Sequence, residues 1–237
     1  MSKNRVLVVD DDKEIVEAID IYLRNEGIEV IKAYDGIQAL EAVMEEEIHL
    51  ILMDIMMPKM DGLRATMKLR EEKNIPIILI SAKSEDTDKI LGLNMGADDY
   101  ITKPFNPLEM IARVKSQLRR YTMLGNFGAV NQGEEVNSII SSGGLSINLD
   151  TKEAILDGET IKVTATEFKI LELLLRNQGR VFSIDEIYEK VWNEPNYNSE
   201  NTVAVHIRRI REKIEINPKE PKYLKVVWGI GYKIEKY

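Results

Sequence analysis

The sequence predicts two modules: a doubly wound α/β domain on a five-stranded parallel sheet, then a smaller winged-helix module. Three observations carry that prediction. Apolar runs and helical stripes alternate five times up to Arg120. The stretch from Gly125 to Gly144 is rich in Gly, Asn and Ser and loses the rhythm. Three further helical segments follow, closed by a glycine-bearing hairpin. Successive β–α units imply a parallel sheet with right-handed crossovers, and the unpatterned stretch reads as a flexible linker. The boundaries are 1–122, 123–143 and 144–237.

Each element has its own signal. Strands are expected at Arg5–Val9, Glu29–Tyr34, His49–Met53, Pro76–Ile80 and Tyr100–Thr102, where apolar runs end at polar residues. Ile15, Ile19 and Tyr22 mark the stripe of one intervening helix, and Ala39, Leu40 and Val43 that of the next. Leu63, Met67 and Leu69–Arg70 fit a third, and Ile90 to Met95 a short fourth. Asn106 as N-cap with Pro107 behind it opens a fifth, running to about Arg120. Past the linker, short strands are expected at Leu145–Asn148, Ala154–Leu156 and Ile161–Val163. Thr166-Glu167 opens a helix ending near Gly179, and Ser183 with Glu186 forms a capping box for one over Ile184–Val191. A third helix runs from about Asn201 to Ile214, and Leu224–Val227 with Tyr232–Ile234 makes the hairpin.

Composition excludes several chemistries. The 237 residues include no cysteine and only two histidines, His49 and His206. Disulfides, thiolate zinc sites, iron–sulfur clusters and multi-histidine metal sites are therefore out, and a bound metal must use oxygen ligands. Ile75 to Ile80 is the longest apolar run, far short of the ~20 residues that span a bilayer. No signal peptide precedes the first strand, so a soluble, cytoplasmic protein without membrane contact is expected. Net charge is −8, but residues 1–122 carry 17 basic and 23 acidic residues, whereas 144–237 carry 15 of each. The acidic total argues against nucleic-acid binding by the first module only. In the second, Arg208, Arg209, Arg211 and Lys213 fall within six residues.

Ligands of a doubly wound sheet bind beyond the carboxyl ends of its strands. The first strand runs into Asp10-Asp11-Asp12, the third into Asp54, the fourth into Ser81 and the fifth into Lys103. Folding should gather these in one cleft. Clustered carboxylates repel unless a cation sits among them, and hard oxygen ligands in a small site suit Mg²⁺. A carboxylate can take a phosphoryl group as a nucleophile, with a metal and a lysine balancing charge on the transferring oxygens. Plainer readings exist. Asp11 with Glu14 reads equally as a capping box, Lys103-Pro104 as a loop, and Met53, Met56, Met57 and Met60 as core filler. Four such residues on four different strand ends outweigh them.

Val8-Val9-Asp10-Asp11-Asp12, Met53-Asp54-Ile55-Met56-Met57-Pro58, Ile80-Ser81-Ala82 and Tyr100-Ile101-Thr102-Lys103-Pro104-Phe105 resemble the receiver domain of bacterial response regulators over residues 3–121. The resemblance implies a flavodoxin-like sheet of order 2-1-3-4-5. It implies that Asp54 accepts phosphate from a sensor histidine kinase. Asp11, Asp54 and the Met56 carbonyl would ligate Mg²⁺, with Asp10 acting through water. Lys103 would contact the phosphoryl group, with a cis bond to Pro104, and Ser81 and Tyr100 would form a switch pair. Lys89 with Glu109, and Asp99 with Arg113, would pair across a two-fold receiver dimer formed on phosphorylation. A catalytic phosphatase with an aspartyl nucleophile is the competing class. Such enzymes carry a second acidic residue two positions on, where this chain has Met56. A switch that dephosphorylates itself slowly, not an enzyme, is expected.

In the second module Val203, Ile207, Ile210 and Ile214 form a buried stripe, and Val205, Arg208, Arg209 and Glu212 lie opposite it. A basic face on the last helix before a hairpin suits a DNA major groove. Thr202 to Arg211 and Trp228-Gly229-Ile230-Gly231-Tyr232 resemble the effector domain of OmpR/PhoB-type regulators. The resemblance implies contacts to direct-repeat promoter DNA from Thr202, Val205, His206, Arg208, Arg209, Arg211 and Trp228, and a partnership with RNA polymerase. Ala204 departs from the acidic residue many members carry, and Trp228 from their wing arginine. Arg113–Tyr121 and Pro221–Lys236 are most similar to the glycopeptide-resistance branch of that family. The rival reading is a signalling scaffold whose C-terminal domain binds protein or RNA.

Overall fold

The computed structural model describes residues 4–82, 86–125, 138–193 and 200–237. The chain divides into two compact units, Met1–Thr122 and Met123–Tyr237, each with its own apolar core.

The first unit alternates β1 (Arg5–Val9), α1 (Lys13–Asn25), β2 (Glu29–Ala33), α2 (Gly36–Glu45), β3 (Leu50–Asp54), α3 (Gly62–Glu72), β4 (Ile77–Ser81), α4 (Asp86–Asn94), β5 (Asp99–Thr102) and α5 (Pro107–Gly125). Its strands form one parallel sheet in the order β2-β1-β3-β4-β5. Helices cover both faces, so β3 and β4 are buried at every residue. That is why they read as unbroken apolar runs. The order reverses beside β1, which opens the crevice at the carboxyl ends of β1 and β3.

Two helix faces differ from the expected stripes. In α1 the buried residues are Val16, Ile19, Asp20 and Leu23, while Tyr22 is exposed. Asp20 turns inward with this face because Lys32 on β2 neutralises it at 2.7 Å. In α3 Gly62, Ala65, Thr66 and Leu69 face in, and Met67 is exposed. A Cβ on Gly62 would run into the Asp54 carbonyl. The helix therefore sits against the strand, and only small side chains fit its first turns. The fifth helix also runs beyond Arg120, to Gly125.

The second unit opens with an antiparallel sheet of β6 (Ile139–Ser142), β7 (Leu145–Asn148), β8 (Glu153–Leu156) and β9 (Glu159–Ile161). Strand β6 corrects the expected linker, because residues 139–142 pair in register with β7. Their serines looked like linker composition, but Ser142 is buried. Its hydroxyl donates to the Glu235 carbonyl at 2.6 Å and accepts from the Tyr237 N–H at 3.2 Å. Residues 126–137 of that linker lie outside the described residues. Strand β9 ends at Ile161, earlier than the expected Val163.

Three helices follow: α6 (Ala165–Arg176), α7 (Ile184–Trp192) and α8 (Glu200–Ile214). Helix α6 starts from a Thr164–Glu167 capping box, and α7 from the Ser183–Glu186 box expected of it. The chain ends in an antiparallel hairpin of β10 (Leu224–Val227) and β11 (Gly231–Ile234). Phe168, Leu171, Ile187, Trp192, Ile207, Ile210 and Leu224 meet in the core, with Trp192 stacked on Tyr188 at 4.9 Å.

Candidate functional site

At the carboxyl edge of the parallel sheet, Asp10 and Asp54 are both buried. The Lys103 ammonium lies between them, 2.6 Å from Asp10 Oδ2 and 2.7 Å from Asp54 Oδ1. Main-chain donors hold the other oxygens: Asp12 N–H donates to Asp10 Oδ1 at 3.0 Å, and Met56 N–H to Asp54 Oδ2 at 2.6 Å. Lys103 itself is aimed by its backbone, whose N–H donates to the Ser81 carbonyl at 2.7 Å. The Lys103–Pro104 peptide is cis. Ser81 is buried at the end of β4, and the Tyr100 ring is buried close to Gly92 of α4.

Asp11 is exposed, and it is Asp12 that caps α1, accepting from the N–H groups of Glu14 and Ile15. The capping-box reading of Asp11 therefore gives way, and its carboxylate faces solvent beside Asp10. Charge at this edge is unbalanced. Burial raises the Asp10 pKa despite the opposing pull of Lys103. Burial works against the Lys103 ammonium too, but its bonds to Asp10 and Asp54 prevail and raise its pKa. Three carboxylates against one ammonium form an all-oxygen donor set suited to a hard divalent cation. Among the described residues no three acidic or histidine side chains form a metal cage. A cation here would need oxygen ligands beyond these side chains.

In the second unit the expected stripe of α8 is buried at Val203, Ile207, Ile210 and Ile214. Arg208 projects outward, its side chain 67% exposed and bonded to Glu212 at 2.9 Å. Three expected DNA contacts are corrected by burial. Arg209 turns inward, 3.0 Å from Glu167, a carboxylate with no exposure that also takes Lys213 at 2.6 Å. His206 is fully buried with its ring 5.5 Å from Trp192. Val205 is buried as well, so its apolar surface lies inside the protein and not toward a groove. Thr202 is partly exposed. Arg211 ties α8 to the hairpin, donating from Nε to the Leu224 carbonyl at 3.0 Å with its guanidinium 5.8 Å from the Tyr232 ring centre. At the hairpin tip Trp228 is 88% exposed and Ile230 62%. The turn is closed by Ile230 N–H donating to the Val227 carbonyl at 3.0 Å, with Gly229 at a φ of 73°.

Two family models match the chain: the response regulator receiver domain over residues 6–115, and the C-terminal domain of transcriptional regulatory proteins over 158–234. The regulatory protein VanR of Enterococcus faecium is 45% identical across 98% of this chain and 99% of its own. The chain belongs to the OmpR/PhoB-type response regulators. VanRc of Enterococcus gallinarum is 44% identical over 98% of this chain and 99% of its own. The crystal structure of DrrB, an OmpR/PhoB homologue from Thermotoga maritima, is 31% identical. It covers 99% of this chain and 100% of that one, with a TM-score of 0.51. As a member of this family the protein is a phosphorylation-controlled transcription factor, with a sensor kinase and DNA as partners.

Three of the residues expected at a dimer face, Asp99, Glu109 and Arg113, meet within one chain of this regulator. Arg113 donates to both Asp99 oxygens at 3.0 Å, and to Glu109 at 2.9 Å. Asp99 and Arg113 are buried, while the side chain of Lys89 lies outside the described residues. The sequence reading missed Glu167 as the anchor of α8. Its signal was the Thr164-to-Glu167 spacing of a capping box, one turn ahead of an apolar helix.

Proposed function

We propose that Asp54 is the phosphoacceptor and that the pocket around it works by positioning charge. One Asp54 oxygen attacks phosphorus, a new O–P bond forms, and the P–N bond to the kinase histidine breaks. Met56 N–H fixes one carboxylate oxygen, and the Lys103 ammonium stands over the other, placed to follow the charge onto the phosphoryl oxygens. Asp11, Asp54 and the Met56 carbonyl would hold Mg²⁺, with Asp10 acting through water. Bound there, the ion would neutralise phosphoryl charge. Ser81 then turns its hydroxyl to the phosphoryl group, and Tyr100 fills the space behind it. The observation that carries this reading is one ammonium shared by two buried carboxylates at the switch-point crevice.

Phosphorylation drives a receiver dimer, and two effector domains then bind direct-repeat promoter DNA in the cytoplasm and engage RNA polymerase. Arg208 is the base-reading arginine of α8, and Trp228 packs against the DNA from the hairpin. The similarity to VanR along the whole chain supports a glycopeptide-resistance operon as the target. The test is labelling with acetyl phosphate in Mg²⁺. The parent chain should take up an alkali-labile acyl phosphate and Asp54→Asn none. Equal labelling of Asp54→Asn would move the acceptor elsewhere.

A further inference from the structure

The loop after the phosphoacceptor, residues 55–61, carries the Met56 amide and carbonyl and then crosses to the start of α2. Met57 packs inward, but the Met56 side chain is exposed, so apolar burial holds only part of the loop. Two polar links tie the loop to the start of α2. Gly36 N–H donates to the Met60 carbonyl at 3.1 Å. The Lys59 ammonium reaches Asp35 Oδ2 at 2.5 Å, from a lysine side chain 61% exposed to a carboxylate 2% exposed.

Asp35 is the N-cap of α2, its other oxygen accepting from the N–H groups of Ile37 and Gln38 at 3.0 Å. The Lys59 bond leads these contacts in holding its carboxyl below the usual range. Lys59 itself stands at a φ of 62°, in the left-handed region that a side chain other than glycine enters at a cost. A glycine would meet that backbone demand without strain. The lysine therefore brings something the turn itself does not require: a charge aimed at a buried cap.

We infer that the Lys59–Asp35 ion pair is a positioning device for phosphotransfer, clamping loop 55–61 so that the Met56 carbonyl and amide stay in place beside Asp54. The inference rests on the proposed use of the Met56 carbonyl as a Mg²⁺ ligand. Outer partners that orient metal ligands shift metal affinity by about 10–100-fold. A clamp three residues from the ligand belongs at the lower end of that range.

Three variants of the full-length chain test it: Lys59→Gly, Lys59→Arg and Asp35→Asn. Mg²⁺ binding is read by calorimetry, and phosphorylation by acetyl phosphate across a Mg²⁺ series. Asparagine keeps the N-cap acceptor, so Asp35→Asn folds even if Lys59→Gly does not. Expected are a Mg²⁺ dissociation constant raised on the order of tenfold in Lys59→Gly and Asp35→Asn, and near-parent affinity in Lys59→Arg. The phosphorylation rate of all three should return to the parent value at saturating Mg²⁺. The thermal midpoints of Lys59→Arg and Asp35→Asn should stay close to the parent's, whereas Lys59→Gly, which strands the buried Asp35 carboxylate, should melt lower. Parent-like Mg²⁺ affinity in folded Asp35→Asn overturns the clamp alone. Absence of Mg²⁺ binding by the parent chain overturns the underlying reading together with it.

Discussion

A neutral residue at position 167 would leave Arg209 and Lys213 beside a buried site with no counter-charge. Burial alone would raise the Glu167 pKa, but Arg209 and then Lys213 overcome it and hold the carboxyl below the usual 4.5. A depressed carboxylate adds stability that is present above the unfolded pKa and lost as pH falls through the folded one. The effector domain should therefore weaken on acidification below about pH 4.5, and Glu167→Gln should remove that part of the slope. Near neutral pH the same substitution should cost roughly 3–5 kcal/mol, the scale for breaking a buried pair. Unfolding can be followed by tryptophan fluorescence, because both tryptophans, Trp192 and Trp228, lie in this unit. A Glu167→Gln variant with the parent's acid profile would place the acid-sensitive group elsewhere. The two arginines of α8 also separate at this scale. Arg209→Ala should lower the melting temperature, whereas Arg208→Ala should leave stability nearly unchanged and lose about 1–3 kcal/mol of base discrimination. Equal effects of the two on stability would contradict the opposite directions in which they point.

At the scale of elements, the hairpin depends on one close approach. Phe182 and Tyr232 exchange both backbone hydrogen bonds at 2.9 Å, and a Cβ on Gly231 would run into the Phe182 carbonyl. Gly231→Ala should therefore displace the hairpin from the α6–α7 connection and weaken DNA binding. Trp228→Ala at the tip should weaken binding without changing its salt slope, since an indole releases no counterions. A salt titration of the two variants checks both. Strand ends were readable in the sequence because buried parallel strands are apolar runs that stop at polar residues, Asp10 after β1 and Asp54 at the end of β3 among them. Helix faces were less so. Periodicity allowed Ile15 or Val16 to lead the stripe of α1, and only the sheet against which it packs decides. The face of α8 was misread for a similar reason: a helical wheel places Arg209 near Arg208 but cannot show Glu167, 42 residues earlier. Strand β6 was hidden by composition, as the Ser142 hydroxyl finds its partners only at the end of the chain.

At the scale of the whole molecule, the proposed dimerisation must compete with contacts already made within one chain. Arg113 is shared between Asp99 and Glu109 in the single chain, so a trans pairing of these groups exchanges one partner for another. Its net gain is smaller than the ~0–1 kcal/mol of a new exposed pair, and symmetry doubles it only to a modest total. Such contacts set orientation better than affinity. Glu109→Lys should therefore reduce phosphorylation-driven dimerisation without unfolding the receiver, since Glu109 is half exposed. Arg113→Ala should also destabilise the monomer, because it strands the buried Asp99. Adding Lys89→Glu to Glu109→Lys should recover part of the dimer if those two residues pair in trans. A receiver dimer with two-fold symmetry can still place two effector domains head to tail when the joining chain is long enough. Two direct-repeat half-sites about one helical turn apart, ~10–11 bp, are then expected. Inserting about half a turn, ~5 bp, between the half-sites should abolish cooperative binding, and ~10 bp should restore part of it. Footprinting of the phosphorylated chain on that spacing series is the measurement. Equal affinity at every spacing would mean that the effector domains bind independently and that the receiver dimer does not set the operator.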